Sequence, residues 1–207
     1  MATQTLTRER VLAEALRLVD SEGLDALSMR RLGDRLGVEA MTLYYHVGSK
    51  EALLDGLVEA LLADVRSDVH DWRAAAAEIA RAFRASAIRH PEIMRLFATR
   101  RLRAPAWARA TESMLAAFVR GEFSRKEAVH AYRLLSAYMT GYVLGELRLV
   151  GAPTLRAYLR QLDAAEFPFL HDLAPELRGI ERDTEYELGL ELLLDGLEAR
   201  LPRRGKP

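Results

Sequence analysis

The sequence predicts an all-α protein in two parts, an N-terminal three-helix unit followed by a larger helical domain. Ala, Leu, Arg and Glu, which are good helix formers, dominate the 207 residues. Prolines and glycines divide the chain into segments of helical periodicity, and no segment shows the sustained alternation that a strand needs. The chain contains no cysteine, which excludes a disulfide framework, a Cys-ligated zinc site and thiol catalysis.

The charge balance is neutral, with 30 Lys+Arg against 30 Asp+Glu. This total argues against a nucleic-acid partner, because nucleic-acid-binding domains are usually basic. The charges are unevenly distributed, however. The acidic residues within 28–50 are only Asp34 and Glu39, so the cations of this segment outnumber them. Residues 181–198, in contrast, are strongly acidic and contain Arg182 as their single cation. Neutrality therefore does not exclude DNA.

The first ten residues, MATQTLTRER, lack the apolar segment of a secretion signal. No uncharged apolar run approaches the roughly 18 residues that a transmembrane helix requires. We therefore expect a cytoplasmic protein that makes no membrane contact.

Four helices are predicted in the first third of the chain. The first covers about 8–22, because its apolar residues recur every three or four positions and a glycine follows it. Two short helices follow at about 29–36 and 39–46. Ser49 is a favourable N-cap for a fourth helix over about 50–65.

Prolines delimit the helices of the second part. Residues 151–179 contain three prolines and are predicted to be irregular, apart from a short helix near 155–162. These patterns predict a first domain over 1–49, a connecting helix over 50–66 and a second domain over 67–207. The longer helices of the second domain are predicted at about 71–89, 91–101, 105–120, 124–150 and 182–201.

Residues 28–48 read SMRRLGDRLGVEAMTLYYHVG, which is typical of a helix-turn-helix. Gly37 permits the sharp reversal between the two short helices, and Leu32 and Leu43 can pack them at a fixed angle. The other face of the second helix is then free to enter a major groove. The alternative is a purely structural three-helix unit.

Lys50 is predicted in the first turn of a helix, where the helix dipole disfavours a cation. A bound phosphate would remove this conflict, because helix N-termini and lysines both attract anions. The alternative is a solvated lysine with a small energetic penalty.

The run LGVEAMTLYYHVGSKEALLDGLVEALL closely resembles the DNA-binding end of the TetR family of bacterial repressors. The segments FSRKEAVHAY, YMTGYVLGE and ELGLELLLDGLEARL are similar to the regulatory core of its tetracycline-repressor branch. The resemblance implies an all-α homodimer that binds a palindromic double-stranded DNA operator and leaves it when a small molecule binds. It also implies a dimer interface formed by the helices at about 124–150 and 182–201.

The same resemblance assigns roles in DNA binding. Arg30 and Thr42 are candidates for contacts with base edges, and Tyr44 and Lys50 for contacts with phosphates. Ala40 and Met41 occupy positions where tetracycline repressors have a polar residue and a proline, which predicts a different operator. His46 is expected to play a supporting role at the end of the helix. The full predicted DNA-binding set is Arg30, Ala40, Met41, Thr42, Tyr44, Tyr45, His46 and Lys50.

A small-molecule pocket in a helical domain is mostly apolar with a few polar groups, so we expect a largely apolar effector. Trp107 follows Pro105 on a short helix, and Tyr138 and Tyr142 share a helix face. The alternative for each candidate is an ordinary core residue, which is the more common role for such side chains. The predicted ligand-binding set is Phe83, Phe97, Arg101, Trp107, Met114, Val129, Tyr132, Tyr138 and Tyr142.

Tetracycline repressors bind their drug as a magnesium chelate through a histidine and a glutamate. The resemblance places Phe97 and Gly145 at those positions, so we expect neither tetracycline, nor a metal, nor any other cofactor. The arginine-rich segment 81–109 leaves two interpretations open. It is a solvated face, or some of its arginines, Arg101 first, bind an anionic effector.

The sequence thus predicts a ligand-responsive repressor rather than an enzyme. The alternatives are a helical enzyme acting on a hydrophobic molecule and a DNA-binding regulator without an effector. The enzyme lacks support, because no nucleophile motif, carboxylate-rich metal motif or phosphate-binding loop is present. The effector, the operator sequence, the regulated genes and the choice between repression and activation stay open.

Overall fold

The computed structural model describes residues 5–99, 105–148, 158–179 and 181–201. Regular secondary structure within these ranges is helical throughout, as the sequence predicts. A 3-10 helix, Leu24–Ala26, follows the first α-helix. The α-helices, numbered in chain order, are α1 Arg8–Glu22, α2 Met29–Leu36, α3 Ala40–Val47, α4 Lys50–Leu62, α5 Trp72–Arg89, α6 Pro91–Thr99, α7 Pro105–Arg120, α8 Arg125–Arg148, α9 Pro168–Asp172, α10 Ala174–Gly179 and α11 Arg182–Glu198.

Side-chain caps fix where several helices begin. Ser28 Oγ accepts from the Arg31 backbone N–H at 3.2 Å, and Ser49 Oγ accepts from the Ala52 N–H at 3.0 Å. Each cap satisfies a backbone donor that the helix itself leaves unpaired. Because Ser28 and Ser49 bracket α2 and α3, the sequence sets the limits of the helix-turn-helix locally.

The turn between α2 and α3 depends on two glycines. Gly37 is left-handed, at φ 70° and ψ 33°. The Val38 N–H donates to the Gly33 carbonyl at 3.0 Å, which closes the end of α2. A Cβ built on Gly33 would lie 2.6 Å from the Val38 carbonyl oxygen, so the turn requires glycine there as well. Sequence reasoning identified Gly37 but not Gly33.

The first four helices enclose an apolar core. Val11 and Leu18 of α1, Leu32 of α2, Leu43 of α3 and Leu53 of α4 are all fully buried. Burying one such side chain stabilises the fold by about 1.5–3 kcal/mol. The core therefore holds α3 in a fixed position, with its opposite face directed outward.

Helix α4 also belongs to the next layer, because it contacts α5, α6 and α7 as well as α1 and α3. Helices α5 and α7 pack along each other. Trp72 at the start of α5 lies over Gly121, where a Cβ would come within 2.5 Å of the indole Cγ. The Trp72 ring also packs edge-on against Phe123, with ring centroids 5.0 Å apart.

Some predicted boundaries differ from the structure. Helix α4 ends at Leu62 rather than near residue 65, and α11 ends at Glu198 rather than near residue 201. The predicted irregular region 151–179 contains α9 and α10. Their prolines lie in the first turn, where a missing N–H costs nothing and proline favours the helix. The predicted helix near 155–162 is described only from residue 158, where two helical residues precede a turn.

Residue contacts divide the chain into two compact units, 1–140 and 141–207. In the second unit, the fully buried Tyr186 packs edge-on against Tyr142, with ring centroids 5.1 Å apart. Leu190 and Leu194 of α11 are also fully buried. Among the described helices, none is long and apolar enough to cross a membrane.

Candidate DNA-binding surface and apolar cavity

Helix α3 presents an exposed face made of large side chains. Met41 is 73% exposed and Tyr45 86% exposed, whereas Leu43 and Val47 on the other face are buried. Thr42 and Tyr44 are also exposed, and Ala40 and His46 are half-buried. The outward face therefore offers polar, aromatic and thioether groups in the size range that a major groove admits.

The end of α3 leads directly into the start of α4. The Gly48 N–H donates to the Tyr44 carbonyl at 2.8 Å, and Gly48 adopts φ 80°, a backbone conformation that favours glycine. Ser49 then caps α4, and Lys50 is exposed in its first turn. Lys50 therefore follows α3 in the chain after only a short connection.

Two carboxylates of α1 neutralise nearby arginines. Glu14 accepts from Arg35 Nε at 2.6 Å and from Arg17 Nη2 at 2.6 Å. Glu22 pairs with Arg35 Nη1 at 3.1 Å and with Arg31. Burial raises the pKa of Glu14, but the hydrogen bonds from Arg17 and Arg35 outweigh it and hold that pKa below its ordinary value. Arg31 and Arg35 are therefore engaged within the protein.

Arg30 and Lys50 differ from these arginines. Both are exposed, and neither has an ion-pair partner among the described residues. Of the four cations that the sequence places in 28–50, two are bound to α1 and two are directed to solvent. Fewer cations are therefore available to a DNA phosphate than the count from the sequence suggests.

A cavity of about 190 Å³ lies between the end of α4 and helices α5 to α8. Five predicted ligand-binding residues line it: Phe83, Phe97, Trp107, Met114 and Tyr132. The Phe83 and Phe97 rings pack edge-on against each other, with centroids 5.7 Å apart. The cavity therefore combines side chains that are distant in sequence into one apolar lining.

The other predicted ligand-binding residues lie elsewhere. Val129 is 48% exposed and, like Tyr138, is not part of the described lining. Tyr142 belongs to the second unit, where its hydroxyl donates to the Arg182 carbonyl at 2.9 Å. Arg101 lies outside the described residues. Tyr138 and Tyr142 thus share a helix face without lying in the described lining, because helical spacing does not specify what a face contacts.

Hydroxyl groups supply the polar part of the lining. Thr111 Oγ1 and Tyr132 Oη are hydrogen-bonded at 3.2 Å, and Ser136 and Thr140 are further lining residues. Sequence reasoning missed Thr111, Ser136 and Thr140. A signal existed, because positions 132, 136 and 140 repeat every four residues along one face of α8.

Charged side chains do not contribute to this lining among the described residues. Two arginines of the segment 81–109 are engaged elsewhere, since Arg95 pairs with Glu92 and Arg109 Nη2 lies 2.8 Å from Glu59 Oε1. In the described part of the chain, no group of three His, Asp or Glu residues is arranged to hold a metal ion. The geometry favours the solvated-face interpretation of Arg95 and Arg109.

A helix-turn-helix with an exposed second helix, joined through α4 to a helical layer with an apolar cavity, is typical of a DNA-binding regulator. Residues 11–57 match the family model for bacterial regulatory proteins of the tetR family. Residues 67–201 match the model for the tetracyclin repressor-like C-terminal domain. The chain belongs to the TetR family of transcriptional regulators.

The chain is similar to several regulators over most of its length. The class A tetracycline repressor of transposon 1721 from Escherichia coli is 33% identical over 202 residues, covering 92% of this chain and 89% of the relative. The HTH-type transcriptional repressor DrrR1 of Streptomyces coeruleorubidus is 30% identical, covering 97% and 80%. The structure of ActR from Streptomyces coelicolor in complex with (S)-DNPA superposes with a TM-score of 0.77 at 33% identity, covering 94% and 98%.

These relatives are transcriptional regulators, and regulators of this family respond to ligands. The family assignment therefore removes the helical-enzyme alternative. It does not identify the operator, the effector or the residues that bind them.

Proposed function

We propose that this protein is a homodimeric repressor that binds a palindromic operator and releases it when a small, largely apolar molecule enters the cavity. The observation that carries the proposal is the path of α4. This helix begins at Lys50, directly after α3, and ends at Leu62, which lines the cavity. One rigid element thus connects the proposed DNA-binding surface to the proposed effector site.

DNA binding is assigned to the exposed face of α3 and its neighbours. The N-terminal residues of a recognition helix contact base edges, so we assign Thr42, together with Arg30, to contacts with base edges in the major groove. Tyr44 and Lys50 contact phosphates, which position the protein without reading sequence. Exposure of all four side chains supports these roles.

Dimerisation is assigned to α8 and α11, each of which exposes apolar side chains. Leu134 of α8 is 52% exposed, and Leu188 and Leu192 of α11 are 59% and 63% exposed. Gly141 and Gly145 of α8 have open space where a Cβ would stand. A glycine inside a helix destabilises it by up to about 1 kcal/mol relative to alanine. Close approach by a partner helix would explain why glycine occupies both positions.

The switch follows from differential binding. Two recognition helices of a dimer must lie about 34 Å apart to enter successive major grooves. An effector that fits the cavity only when the end of α4 is displaced would favour a dimer with a different spacing. By linkage, the operator and the effector then weaken each other's binding. We expect this repressor to act inside the cell, because its operator DNA is located there.

The decisive test is a mobility-shift titration with the purified full-length chain and DNA from upstream of its own and neighbouring genes. We expect specific retardation that Thr42→Ala abolishes, and release when candidate ligands are added. Failure to retard any of these fragments would contradict the proposal. Retardation that no ligand in a broad panel reverses would favour an effector-independent regulator instead.

A further inference from the structure

The cavity lining specifies what kind of molecule it can hold. Apolar surface comes from Phe83, Phe97 and Trp107, and polar atoms come from hydroxyl groups such as those of Thr111 and Tyr132. Among the described lining residues there is no ammonium, guanidinium or carboxylate group. An ionised ligand would lose its hydration here without a countercharge, which is strongly unfavourable. A neutral ligand avoids that cost.

The cavity volume limits the size of the ligand. At about 190 Å³ it is smaller than the roughly 300–1,000 Å³ of sites that hold drug-sized molecules. An engineered apolar cavity of about 150 Å³ in another protein binds benzene. The space therefore suits a molecule of one or two fused rings.

The Thr111–Tyr132 pair adds a directional requirement. Each hydroxyl carries one proton and can also accept, and the single bond between them, at 3.2 Å, uses one of the two protons. The other proton stays available whichever hydroxyl is the donor. Since both side chains are only partly exposed, a ligand oxygen that accepts this proton satisfies a group that an all-carbon ligand would leave unpaired.

We propose that the effector is an uncharged molecule of one or two rings bearing an oxygen that accepts a hydrogen bond from the Thr111–Tyr132 pair. This inference rests on the proposed function, because it names the ligand class of the same cavity. It opposes the anionic effector that the arginine-rich segment suggested. Two of those arginines, Arg95 and Arg109, already have carboxylate partners.

Three probes that share one ring skeleton test the proposal by calorimetry on the full-length protein: 2-naphthol, naphthalene and 2-naphthoate. We expect 2-naphthol to bind tightest and naphthalene roughly tenfold more weakly, because it cannot accept the hydrogen bond. We expect no measurable binding of 2-naphthoate, which is ionised at neutral pH. Equal binding of 2-naphthoate and 2-naphthol, or binding of none of the three, would overturn the proposal.

The double variant Thr111→Val/Tyr132→Phe removes both hydroxyls while keeping the aromatic ring and the branched shape of the threonine, so the fold should be retained. The variant should bind 2-naphthol about tenfold more weakly and naphthalene unchanged. Tyr158→Phe is the matched control, because Tyr158 is 54% exposed and lies in the other unit. Unchanged 2-naphthol affinity in Thr111→Val/Tyr132→Phe would refute the role of the pair.

Operator binding by the ligand-free protein separates this inference from the proposed function. If DNA is retarded but only charged or larger ligands release it, the repressor function stands and the ligand class is wrong. If the ligand-free protein binds no operator while 2-naphthol still binds as expected, the proposed function fails and the cavity assignment stands.

Discussion

The exposed face of α3 and the apolar cavity differ in where their side chains find partners. Met41 and Tyr45 project into solvent, whereas Thr111 and Tyr132 hydrogen-bond to each other inside the fold. The first surface is complete only when another molecule covers it. In the second, this hydrogen bond uses one of the two hydroxyl protons, so a ligand oxygen that accepts the other proton adds a contact to groups that are already bonded to each other. A DNA-reading surface can therefore be recognised by its exposure, and a ligand cavity only by its lining.

The two regions also differ in how they use charge. Near α3, the carboxylates Glu14 and Glu22 on α1 bind Arg31 and Arg35 and leave Arg30 without such a partner among the described residues. The described cavity lining contains no charge at all. Selective neutralisation in the first region and exclusion of charge in the second predict a polyanionic partner for one and a neutral partner for the other.

The sharpest contrast lies within α3 itself. Leu43→Ala should reduce the free energy of unfolding by about 2–5 kcal/mol, because it opens a cavity at a fully buried position. Met41→Ala should change it by less than about 0.5 kcal/mol, since Met41 is 73% exposed, yet still alter operator affinity. Urea denaturation and mobility shifts on both variants check this. A large stability loss in Met41→Ala would show that its side chain supports the fold.

Loss of the Glu14 carboxylate should have the next largest effect. We expect Glu14→Gln to destabilise the protein by about 1–2 kcal/mol at neutral pH, because it weakens three charge-assisted hydrogen bonds, two from Arg17 and one from Arg35. The folded-state pKa of Glu14 is lowered, so its stabilisation is fully present above the unfolded pKa and disappears as pH falls through the folded pKa.

Denaturation of the wild type and of Glu14→Gln from pH 7 down to pH 3 measures this dependence. The difference between the two proteins should shrink as the pH falls below the ordinary range for glutamate, about 4.3. Glu112→Gln, at an exposed position on α7, serves as the control and should show little effect at any pH. A constant difference for Glu14→Gln across the series would contradict the ion-pair explanation.

Tyr142→Phe tests the boundary of the cavity. Its hydroxyl donates within the second unit, so its removal should cost about 0.5–1.5 kcal/mol of stability. Binding of 2-naphthol should stay the same, in contrast to Thr111→Val/Tyr132→Phe. Thermal unfolding measures the stability change, and calorimetry measures the 2-naphthol affinity. A selective loss of ligand affinity in Tyr142→Phe would show that this tyrosine contributes to effector binding.

The smallest effect on stability is expected for Lys50→Ala, which should leave the unfolding free energy nearly unchanged. Operator binding should weaken, and the slope of log K against log salt should fall by about one unit, because one phosphate contact is lost. Lys126→Ala is the matched control, since Lys126 is also an exposed lysine in the first turn of a helix. A slope equal to that of Lys126→Ala would mean that Lys50 contacts no phosphate.

Sequence reasoning succeeded where structure is set by near neighbours. The cap at Ser49 and the glycine turn at Gly37 are in place, because each depends on residues within a few positions. Helices α9 and α10 were missed for a related reason. Their prolines were interpreted as helix breakers, although proline is tolerated in a first turn.

By itself, the sequence determined the helical fold class, the helix-turn-helix and the TetR family, because helical periodicity, caps and a short motif are local properties of the chain. The tertiary structure decided which charges stay available and which aromatic residues share a cavity. Glu14 and Arg35 are 21 positions apart, and the cavity gathers residues from Leu62 to Thr140. Such pairings depend on how helices pack, and packing is set by contacts between residues that are far apart in the sequence.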